Sequence, residues 1–416
     1  MSDRGGMMAG LVHPESIELW RDWARSRGGL PRHRGSVADA VRTLRGTRGR
    51  DDHWEEPRWV LHSREGETSA RVVIGLEDAS PRSRAALLAF LPYLRVGVDV
   101  IAPRGLIAPE LGGHDWRRRA FESARDAVPS DAAAVVTAGQ GGPTGAALHS
   151  VAERRGLQSF VVQTDVLTPY AAPLPAEATV LSWSADDADF WRSGREDLTL
   201  LAVGSQRLWQ LGHHSGEDDP TAEGTGKGRG GGGGGGEDDA ETRSDDGAGT
   251  RADAGADASD EGVDDQADPT SVPSPVVLGQ LSRIELPSRL AARAASSFCR
   301  DGVARYLPEA GETGRLARTQ HRLWERRGIE VLPAGTDPLT LRAPVVSILA
   351  AEVLEVAARG GEAWVHAPGA PGWVHEFWHR YGMRRHGTPT PAPAMPEEEP
   401  AARIAREVEN RVEGVA

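Results

Sequence analysis

Cysteine, lysine and long apolar runs are nearly absent from this chain of 416 residues. The single cysteine, Cys299, excludes an intramolecular disulfide and a zinc site built on cysteines. It lies in an apolar helical stretch and reads as packing rather than as a nucleophile. The single lysine is Lys227, so arginine carries nearly all the positive charge. Met1 to Leu19 has no apolar h-region, and no signal peptide is expected. The longest apolar candidate, Ala343 to Ala358, is broken by Glu352 and Glu355 and is too interrupted for a membrane-spanning helix. A cytoplasmic location is the default expectation. A basic surplus is missing too. The net charge is −13, and the stretch from Ser215 to Pro275, with 17 acidic and 4 basic residues, accounts for all of it. The residues outside that stretch sum to zero, which offers nucleic acid no basic field and a basic ligand no acidic surface.

That acidic stretch, residues 213–275, also holds the run Gly230 to Gly236 and almost nothing apolar before Val263. Such a composition cannot bury enough surface to offset its ordering entropy, and disorder is expected. It separates two regions that alternate short apolar strands with helices, 57–212 and 276–396. An N-terminal helical segment, 1–56, precedes them, and a C-terminal helix, 397–416, follows a proline-rich connector. The strands expected in the first region include Arg58 to His62, Arg71 to Leu76, Val98 to Ala102, Ala133 to Thr137, Phe160 to Gln163, Thr179 to Trp183 and Leu198 to Val203. Helices are expected over Ile17 to Arg27, Ser36 to Arg45, Pro81 to Leu94, Trp116 to Val128, Thr144 to Arg155 and Asp186 to Arg192. Continuous apolar strands of this kind belong to parallel sheets covered on both faces. The expected fold class is therefore α/β, with two Rossmann-like domains facing a cleft where ligands meet the carboxyl ends of strands.

Four motifs carry candidate chemistry. The loop Thr137-Ala138-Gly139-Gln140-Gly141-Gly142-Pro143-Thr144-Gly145 follows a strand and opens a helix. Its glycines let backbone N–H groups approach an anion at a helix N-terminus, although the spacing departs from G-x-G-x-x-G; a phosphate contact and a plain tight turn both remain open. His375-Glu376-Phe377-Trp378-His379 matches H-E-x-x-H. It would place two histidines on one helical face for zinc, with Glu376 as general base; packing by Trp373, Phe377, Trp378 and Tyr381 explains the same residues. Glu355, on the helix after the apolar strand Val345 to Leu349, could accept from a ribose diol or pair with Arg359 four residues on. Asp186, Asp187 and Asp189 open a short helix and read as capping and dipole compensation.

Three segments add a resemblance. Gly204-Ser205-Gln206 with Leu208-Trp209, Leu278-Gly279-Gln280, and Phe377-Trp378-His379-Arg380-Tyr381-Gly382-Met383 resemble actinobacterial glycosyltransferase-like proteins. These are similar, more distantly, to capsule-type sialyltransferases and polyol-phosphate transferases of the GT-B fold. The resemblance covers residues 57–410 without the acidic stretch. It implies a nucleotide-sugar donor bound mostly by the second domain, a cell-envelope glycan as acceptor, no required metal or other cofactor, and a last helix crossing back to the first domain. In that reading Asp165 is the general base, and Gly139, Gly141, Gly142, Ser205, Gln280, Glu309, Ser347 and Glu355 are donor contacts. The sequence departs from the pattern at three places. Thr164-Asp165 stands where a His-Gly step is usual, Glu309-Ala310 where a His-Pro pair is, and Ala350-Ala351 where Ser-Thr hydroxyls are. A carboxylate at 309 would repel a diphosphate by on the order of 1–4 kcal/mol in a partly solvated cleft. Three expectations follow: an active glycosyltransferase, a catalytically silent relative acting as a binding or scaffold subunit, and a zinc hydrolase.

Overall fold

Valine- and isoleucine-rich runs become strands where glycine, proline or a turn bounds them, and the computed structural model shows twelve among the described residues, 10–27, 58–214, 273–300 and 304–414. Eight belong to one sheet: β1 (Trp59–Arg64), β2 (Arg71–Gly75), β3 (Gly97–Pro103), β4 (Arg117–Phe121), β5 (Ala132–Thr137), β6 (Gln158–Val162), β7 (Thr179–Ser182) and β8 (Thr199–Ala202). Their order is β4-β1-β3-β2-β5-β6-β7-β8. Only β1 runs against its neighbours, β3 and β4; the remaining pairs are parallel. From β2 the chain moves to β3 on one side, then crosses to β5 and continues away on the other. The strand order thus reverses between β2 and β5, the place where open α/β sheets leave a crevice.

The second sheet is smaller and wholly parallel. It contains β9 (Val276–Leu278), β10 (Arg305–Leu307), β11 (Val345–Ser347) and β12 (Ala363–Val365) in the order β10-β9-β11-β12. Here the order reverses between β9 and β11. Alternation along β9 sorts the packing. Val276 and Leu278 join Val345, Leu349, Val365 and Phe377, whereas Val277 turns to the opposite face with Tyr306, Trp324, Val346 and Trp364.

Ten α-helices cover the sheets among the described residues: α1 (Ile17–Ser26), α2 (Pro81–Leu87), α3 (Pro143–Arg155), α4 (Ala185–Arg192), α5 (Gln206–His214), α6 (Ser288–Cys299), α7 (Arg315–Glu325), α8 (Glu352–Ala358), α9 (Gly372–Arg380) and α10 (Pro400–Glu413). Helix α10 buries Ala401, Ile404, Ala405, Val408 and Val412, a stripe at i, i+3, i+4, i+7 and i+11, against Val72, Val98, Val100 and Phe160 of the first sheet. Helix α5 ties the sheets together. Its Leu208 and Leu211, with Val166, share one hydrophobic cluster with β9, β11, α8 and α9. Both sheets therefore lie in one compact unit, and no described helix is long and apolar enough to cross a membrane.

Several expectations change. Residues 116–128 contain an edge strand, β4, rather than a helix. Arg117, Arg118 and Arg119 are all exposed, so no apolar stripe exists to seat a helix, and Arg118 lies opposite His62 on β1. The antiparallel β1 makes the first sheet mixed rather than parallel throughout. Helix α5 is not among the expected elements. The expected helix Ser36 to Arg45 and the acidic stretch from Ser215 to Val272 lie outside the described residues. Cys299 is buried, and burial pushes its thiol up to about 11, as suits packing.

Candidate functional site

The glycine loop sits at the first crevice, after β5, and its geometry is set by close approach. Gly139 has φ +116°, and its N–H donates to Thr137 Oγ1 at 2.9 Å. A Cβ on Gly145 would lie 1.9 Å from the Gly139 carbonyl oxygen, and one on Gly141 would press on Ala172 at 3.1 Å. A Cβ on Gly142 would meet the Glu77 carboxyl carbon at 2.3 Å. Glu77 follows β2, across the reversal point, and its Oε1 accepts the Gly145 N–H at 2.8 Å. The loop at the start of α3 thus already holds a carboxylate, and it belongs to the chain itself. Burial pushes Glu77 up to about 7, against hydrogen bonds from Gly145 and Thr144 that favour its charge. Beneath the loop, buried His149 bonds Thr137 Oγ1 at 2.7 Å and Ser159 Oγ at 2.8 Å, and desolvation lowers it to about 4.

At the second crevice the backbone N–H groups beyond β11 are also taken. Gln280 Oε1 accepts from Ile348 N at 3.1 Å and Leu349 N at 3.0 Å, and Ser347 Oγ accepts from Ala350 N at 3.3 Å. Gln280 and Ser347 are buried, and the Gln280 Nε2 has no partner among the described residues. A cavity of about 10 Å³ touches Gln280, Tyr306, Ser347 and His366, room for at most one water. Glu309 pairs with Arg283 at 3.3 Å and accepts from the Ser282 hydroxyl.

Between the crevices lies an ion network. Arg82, at the second position of α2, reaches Glu352 at 2.7 Å, Glu355 at 2.7 Å and Asp165 at 3.7 Å. Arg207 of α5 adds a 3.8 Å contact to Glu355. Burial works against both glutamates. At Glu352 the Arg82 and Arg283 charges overcome it and lower the pKa; at the more buried Glu355 desolvation wins and the pKa rises. The neighbouring carboxylates hold the Arg82 guanidinium charged despite its burial. Asp165 keeps its Oδ1 on its own loop, accepting from Val166 N at 2.8 Å. A second tie runs through Tyr381 after α9. Its hydroxyl accepts from Leu167 N at 2.7 Å, while Arg380 lies 3.3 Å from buried Asp187 and 3.6 Å over the Phe190 ring.

The residues singled out in sequence therefore divide. Asp165 and Glu355 meet on one arginine, and Gln280, Ser347 and Glu309 gather at the second crevice. Gly139, Gly141 and Gly142 share the loop at the first crevice, and of the three Gly142 meets Glu77. Ser205 caps α5, accepting from Leu208 N at 3.4 Å. The expected Glu355–Arg359 side-chain pair is not made, because Arg359 turns to the Leu339 carbonyl. Asp187 is no surface cap; Ser184 caps α4 and Asp187 points inward to Gln163 and Arg380. In H-E-x-x-H, His375 stacks edge-on against Trp378 and faces Arg385, and His379 is exposed. No group of three potential metal-ligating side chains occurs among the described residues.

Compared with models of known protein families and with curated proteins, the chain matches none. Its function therefore rests on the site. Glu77, Arg82 and Arg207 went unnoticed in sequence, and Tyr381 was read as packing rather than as a tie to Leu167. Arg82 did leave a signal: a cation in the first turn of a helix opposes the dipole and calls for nearby carboxylates.

Proposed function

We propose that this chain is a glycosyltransferase-like protein of GT-B architecture whose donor site is filled by its own side chains, and that it acts as a binding or scaffold subunit. The observation that carries this reading is the occupancy of both crevices. On one side the Gly145 N–H at the start of α3 is bonded to Glu77, and on the other the Ile348, Leu349 and Ala350 N–H groups are bonded to Gln280 and Ser347, so these donors are not open to a nucleotide phosphate. Carboxylates at 77, 309, 352 and 355 add repulsion toward a diphosphate, and three arginines that could neutralise one are already engaged with them. The two-domain arrangement, with α10 as the crossing helix, is part of this proposal.

A transferring enzyme is the second reading. It is favoured by the convergence of Asp165 and Glu355, distant in sequence, on Arg82 beside the second crevice. There Asp165 would serve as general base, and catalysis would rest on positioning and on charge stabilisation of the departing phosphate. A thermal-shift screen against CMP, CDP, UDP and GDP separates the two. A nucleotide at a hundred times its dissociation constant adds about 2.7 kcal/mol, a clear rise in melting temperature. No rise with any of the four is expected. A rise that disappears in Glu355→Ala, together with turnover of the matching nucleotide sugar, would restore the transferase.

A further inference from the structure

Helix α7 is anchored on one face and unmatched on the other. Inward, Trp324 is buried and donates from Nε1 to Ser296 Oγ at 2.8 Å, and His321 Nε2 lies 2.9 Å from Glu312. Ala317 and Gln320 complete that half-buried face. Outward, Arg315, Arg318 and Arg322, with Arg326 just beyond, recur at three- and four-residue spacing and form one ridge. Leu316 and Leu323, seven residues apart, run beside it and are 88 % and 39 % exposed. Arg327 follows, and Glu325 is the one acid in the segment.

None of the ion pairs among the described residues involves these five arginines, whereas Arg71, Arg82, Arg84 and Arg195 all find carboxylates. The folded body is close to neutral, so a ridge of unpaired like charges stands out against it. Like charges at helical spacing repel one another, and the repulsion is relieved by negative charge from outside. A leucine left nearly bare among them adds an apolar demand that counter-ions do not meet.

We propose that the outward face of α7 docks on an anionic lipid bilayer. Phosphate headgroups would pair with the guanidinium fork, and Leu316 and Leu323 would enter the headgroup–acyl boundary with the helix lying flat. A soluble polyanion satisfies the arginines but offers nothing to Leu316, which decides between the two. The helix is held in place by Trp324 and His321, so docking orders no new structure. Few groups insert, so the association is peripheral and sensitive to salt. It stands on α7 alone and is independent of whether the crevices bind a donor.

The test is co-sedimentation of the full chain with phosphatidylcholine vesicles, with and without phosphatidylglycerol, at low and high salt. Binding is expected only with phosphatidylglycerol and only at low salt. Arg315→Gln, Arg318→Gln and Arg322→Gln should each weaken it roughly fivefold, and Leu316→Ser by up to roughly tenfold. Arg154→Gln, on the exposed end of α3, should leave it unchanged. All these side chains are exposed, and an unaltered urea midpoint shows that each variant is folded. Equal binding to both vesicles, or to neither, overturns the proposal. So does binding that survives Leu316→Ser and is displaced by polyphosphate, which would make the ridge a site for soluble polyanions.

Discussion

The two sheets reverse strand order at equivalent places, yet they fill the resulting crevices differently. The first admits a charged group, Glu77, to a glycine loop at a helix start. The second uses neutral ones, Gln280 and Ser347, to bond the backbone beyond β11. A carboxylate in such a position is held by the loop's N–H groups but opposed by burial, so its occupancy carries a titratable cost. An amide or hydroxyl has no such dependence. The bonds that close the first crevice are thus sensitive to pH and the Gln280 and Ser347 bonds that close the second are not, although each presents the same answer to an incoming phosphate.

The Arg82 network between the crevices is where the comparison can be broken most forcefully. Arg82→Ala leaves Glu352 and Glu355 facing each other with Asp165 near by. Removing one partner of a buried ion pair costs about 3–5 kcal/mol. The lower end is expected here because Glu352 is partly exposed. Urea denaturation reads the loss, and the triple variant with Glu352→Gln and Glu355→Gln should recover most of it. A loss below about 1 kcal/mol would mean that the apolar cluster around Leu208 and Leu211, with the Tyr381 tie, holds the sheets together without the Arg82 network.

Glu77 comes next. Its folded pKa of about 7 lies above the ordinary 4.5, so the folded state holds this proton more tightly than the unfolded one. The favourable contribution is complete below the unfolded pKa and is lost as pH rises through 7. At about 1.4 kcal/mol per unit, the loss approaches 3.5 kcal/mol. Glu77→Gln keeps an acceptor for Gly145 N and removes the charge. It should raise stability by up to about 3.5 kcal/mol at pH 8 and by a small part of that at pH 5. Equal urea midpoints for the two proteins at pH 8 would show that the loop stabilises the carboxylate fully.

Sequence reasoning reached the strands and most helices because their signals are local: valine-rich runs between turns, Pro at a first helical position, a glycine loop after an apolar strand. It misplaced β4, expecting a helix over Trp116 to Val128, because the pairing of Arg117 to Phe121 with β1 depends on residues more than fifty positions away. The candidate site divides in the same way. Glu355 was legible from its place on the helix after an apolar strand, and Gln280 and Ser347 only through the resemblance. Glu77 was not, because one acidic residue after a strand looks the same whether it faces solvent or a loop some sixty-eight positions on. Arg82 was one arginine among many in a chain with a single lysine, and only its helix-start position set it apart.

The smaller effects belong to the second crevice and test its indifference to pH. Gln280→Leu strips the acceptor from Ile348 N and Leu349 N while removing an unpartnered Nε2. Buried donors left without partners cost about 1–3 kcal/mol each, and the lost Nε2 burden offsets part of that, so a net loss of about 2 kcal/mol is expected. Ser347→Ala removes a longer bond, 3.3 Å to Ala350 N, and should cost about 1 kcal/mol. Both losses should be the same at pH 5 and pH 8, because neither side chain titrates. If the Ser347→Ala loss grew at pH 8, the buried charge of Glu355 on the adjoining α8 would be coupled to this loop. The second crevice would then share the pH sensitivity assigned above to the first alone.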